Sequence, residues 1–203
     1  EGKFELNPAW SPDGQKIAFL RIQSPSLSDL QMIPLAGGAE TSLVLLKFYA
    51  INANMIWIDK PDRLIFSARE KAEQPWSVYA FDLDSREIRQ LTFPENNMYG
   101  DHFPNLVKKD QLTFVRSELS MDLLNPESPG KGKIISLNLK NGMEQIRTVL
   151  DQQTMGMAYS KSLDKMVFWL SEQEGYSYEM QMLDKTGALE KIAEASAYRP
   201  TNL

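Results

Sequence analysis

Pro8-Ala9-Trp10-Ser11-Pro12-Asp13-Gly14-Gln15-Lys16-Ile17-Ala18-Phe19-Leu20-Arg21 is the stretch whose reading decides the fold. A short strand ending in Trp10 enters Ser11-Pro12-Asp13-Gly14. There proline pre-sets φ at the second turn position, and glycine leaves the turn without a Cβ clash. A second strand, Lys16 to Arg21, follows with Ile17 and Phe19 on one face. The stretch is a hairpin, and degraded forms of it recur three times.

The recurrence is anchored on a strand with phenylalanine in third place: Ile17-Ala18-Phe19, Leu64-Ile65-Phe66, Leu112-Thr113-Phe114 and Met166-Val167-Phe168. Successive phenylalanines are 47, 48 and 54 residues apart. Trp10, Trp57 and Tyr159 each stand nine residues before theirs, and Leu106 stands eight before. A period of this size is a blade-sized unit.

Each repeat accommodates four strands. In the first, a polar loop leads to a strand from Asp29 to Leu35, the turn Ala36-Gly37-Gly38 and a strand from Glu40 to Leu46. The third has a long loop, Ser117 to Lys131, and closes through the hairpin turn Asn141-Gly142. Four such quartets predict an all-β chain, a β-propeller of four four-stranded blades in one domain. The blades are expected at about 8–46, 54–93, 103–150 and 156–194. Ala188 to Ala197 also holds good helix formers, a local preference that tertiary pairing often overrides. Residues 198–203 restart the pattern, since Pro8, Pro104 and Pro200 are 96 residues apart. Two readings follow: four blades closed by a strand near Lys3 to Leu6, or a fragment of a larger propeller. The fragment is the expectation, with odd blades opening on proline, and its uncovered edges and faces predict self-association.

The 203 residues are 42% hydrophobic and 24% charged, with a net charge of -5 and no cysteine. Disulfides and thiolate metal sites are thereby excluded, and the balance of charge gives no basic footprint for nucleic acid or an anionic membrane. The most apolar run, Leu43 to Ile58, is broken by Lys47, Asn52 and Asn54 and is too short and polar for a bilayer span.

The Pro8–Phe19 string resembles the TolB-like, WD-type propeller repeat. Ile33-Pro34-Leu35-Ala36-Gly37-Gly38-Ala39-Glu40 is similar to its closing hairpin, and Gln90-Leu91-Thr92 to its final strand. The likeness is sharp in the first repeat and weak in the others, which read Asp59-Lys60-Pro61-Asp62, Lys108-Lys109-Asp110 and Lys161-Ser162-Leu163-Asp164 in place of the turn. The order of features in the first two repeats resembles the periplasmic part of membrane-spanning winged-helix regulators laid out like CadC and ToxR. That resemblance implies a non-enzymatic sensor or partner-docking body, with the DNA-binding part and the membrane helix elsewhere in the polypeptide. A TolB-like envelope scaffold and the non-catalytic propeller of a prolyl-oligopeptidase-like hydrolase are the alternatives.

Catalytic, cofactor and metal motifs do not emerge. His102 is the single histidine, beside Asp101, and no Gly-x-Ser-x-Gly elbow exists to complete a triad with it. Gly130-Lys131-Gly132-Lys133 sits before a strand, without the spacing of a phosphate cradle, and reads as a solvated loop. Asp13, Asp62, Asp110 and Asp164 lack the spacing of a calcium loop and suit turn capping. The candidate ligand or partner contacts are Arg21 and Arg116, each two residues after a phenylalanine, with His102 as a midrange titrating group and Trp76 as a docking aromatic. Trp10, Trp57 and Tyr159 are expected between blades.

Overall fold

The computed structural model describes residues 4–24, 27–43, 48–59, 62–120, 129–171, 177–184 and 186–196. The expected start of a fifth repeat at 198–203, Lys3, Lys60, Pro61 and Val44 to Leu46 of the expected Glu40–Leu46 strand lie outside them. Fifteen strands and no helix occur among the described residues. They fall in two compact units, Glu1–Asn96 with Asp101–Pro104, and Asn97–Gly100 with Asn105–Leu203.

Unit 1 holds two antiparallel quartets, each in simple sequence order. The first blade is β1 (Phe4–Trp10), β2 (Lys16–Ser24), β3 (Leu27–Pro34) and β4 (Thr41–Ser42). The second is β5 (Ala50–Ile58), β6 (Arg63–Arg69), β7 (Ser77–Asp82) and β8 (Ile88–Gln90). The first hairpin forms as its residues dictate: the Gly14 N–H donates to the Ser11 carbonyl at 2.9 Å, with Gly14 at a φ of 69°. Asp13 caps the turn by accepting from the Ser11 hydroxyl at 2.6 Å and the Gln15 N–H at 3.0 Å. The two sheets are joined by one core, in which Ala18, Leu20 and Leu30 meet Leu64, Phe66, Ala68, Tyr79 and Phe81. Phe48 sets its ring edge-on to Phe66 and Tyr79, with centroids 5.7 and 4.7 Å away.

Unit 2 is built on one seven-stranded antiparallel sheet: β9 (Met98–Lys108, whose Asp101–Pro104 belong to unit 1), β10 (Gln111–Leu119), β11 (Pro129–Asn138), β12 (Glu144–Ser160), β13 (Lys165–Ser171), β14 (Ser177–Leu183) and β15 (Leu189–Ser196). Here the expected boundary between residues 150 and 156 gives way. β12 pairs with β11 through Glu144–Gln153 and with β13 through Gln153–Ser160, so one strand closes the third blade and opens the fourth. The segment Leu150–Met157 has no proline or turn dipeptide to break it, and Gly156 marks only a register shift after Thr154. Ile134 and Leu150 share a core with Met166, Phe168, Leu170 and Leu183, so the faces of the two halves meet. Within the Ala188–Ala197 stretch, Leu189–Ser196 pairs as β15 against β14, which overrides its helical propensity.

Three further boundaries shift. The opening strands begin at Phe4, Ala50 and Met98, ahead of the expected 8, 54 and 103. Pro8 and Pro104 lack an N–H for the ladder, and in both cases the preceding residue turns left-handed, Asn7 at φ 50° and Phe103 at 54°. The β1 register slips there, between Leu6 and Ala9, and each strand continues through the irregularity.

Gly130 to Lys133 are also part of a strand, not a solvated loop. Gly132 pairs with Ser117 and Lys133 with Arg116. A Cβ on Gly130 would lie 2.8 Å from the Leu119 carbonyl oxygen, and one on Gly132 would lie 2.9 Å from a Val115 methyl. The glycines serve close approach of β10, which is the other meaning of glycine inside a strand.

Candidate functional site

The alternation of blade types, which the prolines suggested, extends to side-chain contacts. In the first blade Arg21 donates from Nε and Nη2 to Glu5 at 3.0 and 2.8 Å, and from Nη1 and Nη2 to Glu40 at 2.6 and 2.9 Å. Glu40, then Glu5, raise the guanidinium above its ordinary range. In the third blade Arg116 forks onto Glu144 at 2.7 and 2.9 Å. Both guanidinium carbons lie over the phenylalanine two residues back, Arg21 5.4 Å from the Phe19 centroid and Arg116 5.5 Å from that of Phe114. Ala68 and Leu170 hold the same place in the second and fourth blades, fully buried. Those blades carry a different link: Trp57 Nε1 donates to Asp62, and the Tyr159 hydroxyl donates to Asp164 at 2.8 Å. An aromatic tip thus fixes the turn five residues on.

Trp76 is half-buried rather than free. The Arg69 guanidinium carbon stands 5.1 Å from its ring and 5.4 Å from that of Tyr49, and the Trp76 carbonyl accepts the Asp101 N–H at 2.7 Å. His102 is 2% exposed and next to fully buried Asp101, its ring edge-on to Phe103 at 4.7 Å. The backbone bond brings Trp76 and the Asp101–His102 pair together within unit 1. Arg21 belongs to a different sheet of that unit, and Arg116 lies in unit 2.

Unit 2 also holds a cleft that the sequence did not disclose. About 650 Å³ in volume, it lies between the β9–β10 turn and the β11–β12 hairpin, and Lys108, Lys109, Gln111, Asn138, Lys140 and Gln145 are among its lining residues. Lys140 pairs with Asp110 at 2.8 Å, and Gln111 donates to the Ser136 hydroxyl at 2.6 Å. A smaller cavity of about 160 Å³ shares Lys108, Gln111 and Ser136 and adds Arg147 and Asp184. Asp184 accepts from the Thr186 hydroxyl at 2.7 Å and the Ala188 N–H at 3.0 Å. The Thr186 hydroxyl above all holds its carboxyl below the usual range. Amides and ammonium groups of this kind recognise polar ligands by hydrogen bonds and charge. Among the described residues no cluster of histidine and carboxylate side chains could hold a metal. The only trace of the cleft in the sequence was the pair of turns, Lys108-Lys109-Asp110 and Asn141-Gly142, whose proximity depends on strand pairing.

No family model and no curated protein matches the sequence. Solved structures do. TolB from Acinetobacter baumannii superposes with a TM-score of 0.67 at 14% identity, over 94% of this chain and 44% of that one. The β-propeller domain of the Trilobed protease from Pyrococcus furiosus matches with a TM-score of 0.60 at 15% identity, over 93% of this chain and 56% of that one. The chain has the fold of a β-propeller. Prolyl oligopeptidase B from Galerina marginata matches at 0.65 and 16% identity, over 96% of this chain and 27% of that one. The chain therefore spans about a quarter to little more than half of these three. At such identities the likeness is one of fold, and function rests on the residues of this chain.

Proposed function

We propose that this chain is a non-enzymatic sensory or protein-interaction propeller of a bacterial signalling protein, the periplasmic part of a membrane-bound transcriptional regulator. The observation that carries a binding role over a chemical one is the use made of its polar side chains. Arg21, Arg116, Asp164 and Asp184 are engaged in structural contacts, whereas the open cleft of unit 2 offers Lys108 and Lys109 to a polar partner. The first-repeat resemblance supports the regulator, with DNA contacts placed outside this segment. No helix of the described residues is long and apolar enough to cross a membrane, so an anchor would lie in other sequence.

Two other readings have support in the fold. The TolB likeness favours an envelope scaffold, and the oligopeptidase likeness favours a propeller that accompanies a separate hydrolase domain. The flanking reading frame distinguishes them. A regulator has a winged helix and one apolar segment of about 20 residues upstream. A downstream Gly-x-Ser-x-Gly with its Asp and His contradicts that and assigns the propeller to a hydrolase. Within the full-length protein, reversing charge at Lys108 and Lys109 should abolish the transcriptional response and leave the melting temperature unchanged. An unaltered response contradicts the cleft as the docking site.

A further inference from the structure

The capping of two turns leaves the larger cleft of unit 2 rich in hydrogen-bond donors. The β9–β10 turn supplies Lys108, Lys109 and Asp110, and the β11–β12 hairpin supplies Asn138, Lys140 and Asn141. The hairpin is held by amide oxygens: Asn138 Oδ1 accepts the Lys140 N–H at 2.9 Å, and Asn141 Oδ1 accepts the Met143 N–H at 3.0 Å. Each cap uses the acceptor end of an amide and leaves its Nδ2 hydrogens for another group.

The carboxylates of the lining are engaged as well. Asp110 pairs with Lys140 at 2.8 Å, and Glu144 receives the fork of Arg116 at 2.7 and 2.9 Å. Lys108 and Lys109, by contrast, are exposed and have neither an ion pair nor a hydrogen bond among the described residues. Positive charge is therefore in excess here, within a chain whose net charge is -5. The adjoining smaller cavity differs, because Asp164 and Asp184 balance Lys108 and Arg147 in its lining.

We propose that the larger cleft binds a small molecule through an anionic oxygen group, a carboxylate or a phosphate, held by Lys108 and Lys109 and by the amide hydrogens of Asn138 and Asn141. Ammonium groups make charge-assisted hydrogen bonds to such oxygens, stronger than those between neutral partners. The cleft volume of about 650 Å³ is that of a small-molecule site, for which about 300–1,000 Å³ is usual. The inference rests on the reading of this cleft as the docking site and names the chemistry of its ligand.

Isothermal titration calorimetry of the chain with citrate and with pyrophosphate tests it, one probe for each source of the anionic group. At least one should bind at one site per chain with a Kd below ~1 mM at low salt, and more weakly as salt is raised. Lys108→Gln combined with Lys109→Gln should weaken that binding about tenfold or more at an unchanged melting temperature. Lys131→Gln should leave it unaltered, since Lys131 precedes Asn138 by seven residues on β11, about 23 Å along the strand. Failure of both probes to reach that affinity overturns the proposal. So does an equal loss in Lys131→Gln, which would mean diffuse attraction to charge. If neither probe binds while charge reversal at Lys108 and Lys109 still abolishes the transcriptional response, the docking site stands with a macromolecular partner and the small anion is refuted. If a probe binds as stated while that reversal leaves the response unaltered, the anion site stands and its signalling role falls.

Discussion

Phe66 and Phe168 are fully buried in the cores of different units, and each occupies the same place in its strand. Replacing either with alanine removes a ring and leaves a cavity, a loss of about 3–5 kcal/mol. Urea unfolding should report it, and a change under about 1 kcal/mol would mean that the ring is not packed as described. Tyr79 gives a second test. Burial, with a smaller contribution from Glu70, pushes its hydroxyl up to about 12. The folded state holds that proton more tightly than the unfolded chain, whose tyrosines ionise near 10. This contribution to stability is present below pH about 10 and is lost as pH rises towards 12. Absorbance titration of the phenolates should show a late tyrosine that disappears in Tyr79→Phe. Asp13 and Asp184 act at the acid end. Their carboxyls are lowered chiefly by the Ser11 and Thr186 hydroxyls, so what they add is present above the usual carboxylate range and lost as pH falls through their own values. Asp184→Asn should flatten the acid limb of a melting-temperature profile, and an unchanged limb would show that the cap does not matter. None of these partnerships was legible beforehand except the Asp13 turn. In sequence Arg21 reads as a candidate ligand contact or as a partner for a carboxylate of the following loop, because Glu5 and Glu40 lie 16 and 19 residues away and reach it only across the sheet.

Among the elements, hairpins with their own turn chemistry were readable and irregular junctions were not. Gly142 follows Asn141 at a φ of 72°, as a tight hairpin requires. Gly142→Ala should cost about 1 kcal/mol through that angle, since nothing lies within 4 Å of the added methyl. A neutral outcome by thermal melting would contradict the turn. By contrast, the continuity of β12 depends on two different partners sharing one strand, and its own residues do not specify it. The left-handed residues before Pro8 and Pro104 escaped for a similar reason: proline signals a strand start, and such a residue before it allows an earlier one. Gly130 and Gly132 suggested flexibility until the partner strand showed what fills the space of the missing side chains.

For the whole molecule, the period of the phenylalanines was the decisive evidence because it is enforced by packing in every repeat. It predicted the strand quartets, whereas the exposure of each aromatic depends on tertiary packing. Trp10 shows the difference. Its sequence position equals that of Trp57 and Tyr159, and only the structure shows it exposed. The central claim is that four equivalent strands, each with a central phenylalanine, lie beside equivalent partners. Cross-strand backbone nuclear Overhauser effects test it most directly, at Phe19–Gln31, Phe66–Tyr79, Phe114–Ile135 and Phe168–Gln181. The account predicts contacts at all four; sequential helical contacts around any of these phenylalanines, with the cross-strand one missing, would contradict it.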